Sequence, residues 1–129
     1  MKNYHAWLDI SIGDIISQPM QRVLCNDFVK KLNGKIVFEL GEDPEFKSYN
    51  LQLRNMLNSK LNVNGFIFLR LEQFIMDDKL NIEMIKSIIS KNYEVHFIRQ
   101  NLSLRKISDL KKNINNLIIF RDIKNLNIK

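Results

Sequence analysis

The stretch that most limits how this chain can fold is residues 65–71, Gly-Phe-Ile-Phe-Leu-Arg-Leu. Phe66, Ile67, Phe68 and Leu69 are apolar without a break, and Leu71 follows past one charge. Asn62, Asn64 and the turn-forming Gly65 stand in front of them. A run this short, rich in aromatic and branched side chains and opened by a turn signal, reads as a strand buried on both faces. Strands of that kind occupy the middle of parallel sheets, where helices cover both sides. Arg70 then falls where the strand should end.

The rest of the chain fits around that strand. Trp7, Leu8, Ile10 and Ile12 alternate with Asp9 and Ser11, predicting a first strand over Ala6–Ile12 that Gly13-Asp14 breaks. Pro19 suits the first turn of a helix capped by Ser17 or Gln18. Met20, Val23, Leu24, Phe28 and Leu32 continue at helical spacing until Gly34, read as the residue just past the C-cap. Lys35–Leu40 is the second strand, and Tyr49–Leu61 a second helix with Leu53, Met56, Leu57 and Leu61 inward. After the central strand come an acidic loop, Glu72–Asp78, and a helix over Ile82–Ser90 capped by Asn81. Glu94–Arg99 is the fourth strand. Ser103 is placed to cap a last helix from Leu104, with Ile107, Leu110, Ile114, Leu117 and Ile118 in period. Leu117–Phe120 also reads as a short edge strand, because Asn113, Asn115 and Asn116 weaken a helix; the helical spacing favours helix.

The expectation is therefore one α/β domain spanning residues 1–129, a three-layer sandwich with a mainly parallel sheet of four or five strands. In such sheets ligands bind beyond the carboxyl ends of the strands, near a switch in strand order. That rule selects the loops Gly13–Gln18, Gly41–Ser48, Arg70–Asp78 and Arg99–Ser103.

Composition narrows the function classes. The net charge is +6, from 20 basic and 14 acidic residues, which suits an anionic partner. The basic residues are scattered rather than blocked, which speaks against nucleic acid. Cys25, the one cysteine, sits among Val23, Leu24 and Phe28 and reads as a core thiol; no internal disulfide can form. No apolar run approaches the about 20 residues that span a bilayer, and no signal-peptide core precedes the fold, so a cytoplasmic protein without membrane insertion is expected. Neither GxGxxG nor GxxxxGK[ST] occurs. Two distant histidines and one cysteine give no metal-ligand spacing, and nothing points to an organic cofactor.

Within the four loops, several residues are suited to chemistry. Ser11 lies ahead of a helix start, and Gln18 and Gln21 share a helix face where amides can read sugar hydroxyls. Glu42 is the candidate acid or base among Glu39, Glu42, Asp43 and Glu45, with Tyr49 to orient it or donate a proton. Arg70 and Arg99 end neighbouring strands and would clamp a phosphate or carboxylate; with Glu72 and Gln73 next to Arg70, a plain Arg–Glu surface pair is the equal alternative. His96, between Val95 and Phe97, points to the opposite face from both and reads as a satisfied structural histidine.

Two resemblances bear on these residues. The order of strands, loops and helices resembles the catalytic domain of serine recombinases, whose first strand carries Tyr-x-Arg-Val-Ser/Thr and whose third is followed by Leu-Asp-Arg-Leu-x-Arg. Ser11 matches the serine and Arg70 the first downstream arginine. Asp9 and Ile10 stand where arginine and valine belong, and Gln73 or Phe74 replaces the second arginine, so charge stabilisation for phosphoryl transfer is missing. Over residues 10–104 the chain also resembles small sporadic carbohydrate-cluster proteins of bacterial surface-polysaccharide gene clusters. The shared features are Gln18-Pro19-Met20-Gln21, Asp27-Phe28, Glu42 with Tyr49, and Gly65-Phe66-Ile67-Phe68; Arg22 and Arg70 depart from the pattern. The fold implied is flavodoxin-like or resolvase-like.

The leading expectation is a protein of O-antigen or capsule synthesis that binds or modifies a sugar or nucleotide-sugar at Ser11, Gln18, Gln21, Arg70 and Arg99, with Glu42 and Tyr49 as catalytic groups. The alternatives are a non-catalytic partner of pathway enzymes, assembled as a homo- or hetero-oligomer, and a degenerate recombinase-like nucleic-acid binder.

Overall fold

The structure, a computed structural model, describes residues 1–43, 51–76, 79–113 and 115–117. The first strand, β1, runs over Lys2–Asp9, and a 3-10 turn follows at Ile10–Ile12. Strand formation thus starts four residues earlier than the alternation suggested and stops three residues sooner. Tyr4 to Asp9 are all buried, which draws the strand back to Lys2. At the other end the Asp9 carboxylate accepts from the Ser11 backbone N–H at 3.0 Å, pulling the chain out of the ladder.

Helix α1, Gln18–Lys31, is capped by Ser17, whose hydroxyl accepts from Met20 N–H, with Pro19 in the first turn as expected. It ends at Leu32, and Asn33 rather than Gly34 takes the left-handed conformation (φ 56°). Gly34 opens β2, Gly34–Glu42, and is small for another reason: a Cβ there would lie 2.5 Å from the Tyr4 ring. Helix α2 covers Leu51–Leu57 among the described residues, and β3 is Gly65–Phe68, buried at every position. A Cβ on Gly65 would come within 2.4 Å of the Glu94 carbonyl oxygen, so this glycine allows β3 to approach its neighbour. The expected acidic loop is instead a 3-10 turn, Leu71–Phe74, and a two-stranded ribbon, β4 (Ile75–Met76) with β5 (Lys79–Leu80). Helix α3 is Ile82–Ser90, with Asn81 accepting from Met84 N–H as its cap.

Strand β6 is Glu94–Phe97, and the chain then reverses through Asn101 (φ 50°) into β7, Leu102–Leu104. The five strands lie in the order β2-β1-β3-β6-β7; all neighbours are parallel except β6 with β7. A fifth strand therefore exists, but at 102–104. Residues 107–113 and 115–117 are helical, so Leu117 belongs to the helix; 118–120 lie outside the described residues. Ser103 does not cap that helix. Asp109 does the corresponding work, accepting from the Arg105 and Lys106 N–H groups.

The sheet is the middle of three layers. On one face α1 lays Cys25 and Val29 against Tyr4, Ala6, Leu8, Ile67 and Leu69. On the other, α2, α3 and the last helix bury Leu53, Leu57, Ile85, Ile88, Leu110 and Leu117 over Trp7, Phe66, Phe68, Val95 and Phe97. Cys25 is a core thiol, pushed up to about 12 by burial and then by the Glu39 carboxylate.

Candidate functional site

Because β1, β2 and β3 are parallel, their carboxyl ends bring three loops to one rim. Asp9 ends β1 and pairs in register with Glu42 at the end of β2. Arg70 follows β3 and reaches back across the rim. Its Nε donates to Asp9 Oδ2 at 2.6 Å, and its Nη2 donates to Ser11 Oγ at 3.3 Å. Ser11 Oγ in turn donates to Asp9 Oδ1 at 2.5 Å. Asp9 is wholly buried while the Arg70 side chain keeps 19% exposure, so this is a buried carboxylate with a guanidinium lid.

Two glutamines hold that centre from beneath. Gln21, buried on α1, accepts from Asp9 N–H and donates to the Asp9 and Ile16 carbonyls, all within 3.0 Å. Gln73 accepts from Arg70 N–H and donates to the Trp7 carbonyl. The amide of Gln21 is thereby engaged by backbone on both its oxygen and its nitrogen, and it acts as a strut. Gln18, one turn earlier, is exposed at the start of α1. Sharing a helix face did not give these two amides one role, because Gln21 is buried and Gln18 is exposed.

Arg70 and Arg99 do converge, but on a carboxylate that the chain itself supplies. Arg99 Nη1 donates to Glu72 Oε2 at 2.5 Å, and Arg70 Nη1 lies 3.9 Å from the same oxygen. Gln100 donates to the other oxygen, Glu72 Oε1, and accepts from Leu71 N–H. The rim thus gathers Ser11, Gln21, Glu42, Arg70 and Arg99, with Gln18 at its margin. Tyr49 lies outside the described residues. Among the described residues no cluster of histidine, cysteine, aspartate and glutamate is arranged to hold a metal.

Glu72 was expected only as a possible surface partner of Arg70, and the structure bears that pairing out; Asp9 and Gln100 were missed as site residues. At the rim the Arg70 and Arg99 guanidiniums are engaged by Asp9 and Glu72.

A group of lysines lies at the opposite edge. Strand starts and helix ends meet there, and Lys30 and Lys31 in the last turn of α1, Lys35 in β2, Lys60 before β3 and Lys91 after α3 are all exposed. None of these five forms an ion pair among the described residues. The nearby Glu94 is engaged by Lys2, and Asp27 sits one turn back along α1.

The sheet order, the antiparallel last strand and a serine after β1 define a resolvase-like α/β domain. A solved structure bears this out: a resolvase-family site-specific recombinase from Streptococcus pneumoniae matches with a TM-score of 0.67 at 14% identity. The match covers 99% of this chain and 91% of that one, and at such identity the likeness is one of fold. No family model matches the chain, and no curated protein does. The likeness to carbohydrate-cluster proteins gains nothing from these comparisons. No helix among the described residues is long and apolar enough to cross a membrane.

Proposed function

We propose that this is a resolvase-fold domain that binds the phosphate backbone of nucleic acid through its lysine-rich amino edge and does not cut it. The observation that carries the reading is a difference in charge: five exposed lysines at the amino edge form no ion pair among the described residues, while the guanidiniums of the opposite rim are held by Asp9 and Glu72. Five phosphate contacts give a slope of log affinity against log salt of about −4.5, so a rise from about 50 to 200 mM weakens binding about 500-fold. Fluorescence anisotropy with a labelled duplex reads this slope. The triple variant Lys30→Gln, Lys31→Gln, Lys35→Gln brings it down by about 2.7. Ser11→Ala leaves affinity unchanged, and no covalent protein–DNA adduct forms. An absence of binding at low salt, or a slope the triple variant does not alter, refutes the reading.

A second reading rests on the register pairing of Asp9 with Glu42, which puts two acidic residues at neighbouring strand ends on the rim. Carboxylates accept from sugar hydroxyls. A sugar or nucleotide-sugar of surface-polysaccharide synthesis would then be held by Ser11, Gln18, Arg70 and Arg99, with Gln21 as support and Glu42 and Tyr49 as acid–base pair. Titration with nucleotide-sugars by calorimetry tests this: binding that Glu42→Gln abolishes supports it, and no heat with any of them rejects it.

A further inference from the structure

Strands β6 and β7 carry a second constellation, away from the rim. Glu94 and His96 are two apart on β6 and share a face, and Ser103 on β7 stands opposite His96 in the antiparallel register. His96 Nδ1 lies 2.7 Å from Ser103 Oγ, and His96 Nε2 lies 2.8 Å from Glu94 Oε1. His96 is fully buried, whereas Ser103 is half-buried on the last strand of the sheet.

The proton positions follow from the surroundings. Glu94 accepts from Lys2 Nζ at 2.8 Å and from Tyr4 Oη at 2.9 Å, and Arg105 Nε lies 3.8 Å away. Burial raises its carboxyl, but the bonds from Lys2, His96 and Tyr4 outweigh that and hold it below the usual range. An ionised carboxylate only accepts, so His96 donates Nε2–H to it. Burial outweighs the pull of Glu94 and keeps the imidazole neutral. Nδ1 then holds a lone pair, and Ser103 donates its O–H to it.

We propose that Ser103 is a nucleophile, with His96 its general base and Glu94 the orienting carboxylate, and that it takes an acyl group from an activated, negatively charged ester. Serine Oγ attacks the carbonyl carbon, and a carbon–oxygen bond forms as the ester bond to the leaving group breaks. The hydroxyl proton passes to His96 Nδ1 and from there to the departing oxygen. The arrangement of nucleophile, base and orienting acid is what such a step requires; here the two ring nitrogens exchange their usual roles. Arg105 and Lys2 flank Glu94 with side chains about half exposed, which favours an acyl donor bearing a carboxylate or phosphate.

A network that merely ties β7 to β6 would use the same bonds, and covalent chemistry separates the two. The full chain is exposed to a fluorophosphonate, where the Oγ–phosphorus bond forms and fluoride leaves, and separately to 4-nitrophenyl succinate. Peptide mass spectrometry locates the adduct. Both reagents modify Ser103, and Ser103→Ala abolishes the modification. His96→Asn and Glu94→Gln slow it at least about 100-fold. In the wild type the rate rises with pH through one ionisation below the ordinary imidazole value. The charged and titratable groups facing His96 are Lys2 and Tyr4 from β1, Glu94, and Arg105; α1 packs the Phe28 ring against it and buries the Cys25 thiol in the same layer. Should His96→Asn fail to fold, the wild-type pH profile decides. A folded wild type that gains no adduct at Ser103 overturns the proposal, as does a flat profile or full-rate labelling of His96→Asn.

Discussion

Replacing Arg70 by methionine tests how the rim is held together. The substitution keeps most of the stem and removes the guanidinium, leaving a fully buried Asp9 carboxylate with only the Ser11 N–H and O–H as donors. Removing one partner of a buried pair costs about 3–5 kcal/mol, because the remaining charge is desolvated without compensation. For the 129 residues of this chain the unfolding entropy is about 270 cal/mol/K, so the midpoint should drop by about 11–18 °C. Thermal melts followed by circular dichroism read the midpoint, and urea titration at constant m confirms that stability alone has changed. Adding Asp9→Asn to Arg70→Met removes the stranded charge while keeping an acceptor for Ser11, and the double variant should regain at least half of the loss. A loss below about 1 kcal/mol, the size of an exposed ion pair, refutes the reasoning. So does a double variant no more stable than Arg70→Met.

Two further outcomes follow from the same structure. Gln21→Leu leaves the Asp9 N–H and the Asp9 and Ile16 carbonyls without their side-chain partner, and should cost about 2–3 kcal/mol in urea unfolding. Stability should also fall on acidification: His96 and His5 are held below the ordinary imidazole value chiefly by burial, so the unfolded chain takes up their protons first. Their contribution is complete above about pH 6.5 and declines as pH falls toward the folded values. Glu94, also depressed, adds to the loss at still lower pH. Urea midpoints across this range measure the slope, and His96→Gln should flatten it.

The fold was legible where burial leaves a pattern. Phe66 to Phe68 could only be central, and β3 lies third of five strands. Asn81 and Ser17 announced their helices because a short polar side chain before an apolar period has one common use. Strand β7 was not legible: three residues are too few for a period, and the hydroxyl of Ser103 suits a cap as well as a histidine. Gly34 was read as a stop signal, although its smallness serves the Tyr4 ring, a contact between residues 30 apart in sequence. The rim was located by the strand-end rule. Its chemistry was legible only in part: of the two readings of Arg70, the pairing with Glu72 holds, while the Asp9 partner and the convergence of Arg99 on Glu72 were not foreseen. Which charge neutralises which depends on side-chain reach across loops, and spacing along the chain does not record it.

Among the described residues the sheet has one helix on one side and several on the other, and the lone cysteine lies beneath that one helix, α1. Nature has thereby built a probe into the molecule. A thiol reagent added to the folded protein can react only when α1 lifts away, so the rate of modification at Cys25 reports the opening of that single layer while the opposite layer stays silent. Slow exchange that tracks global unfolding would mean α1 is bound as firmly as the centre; faster exchange would mark it as the first part to leave.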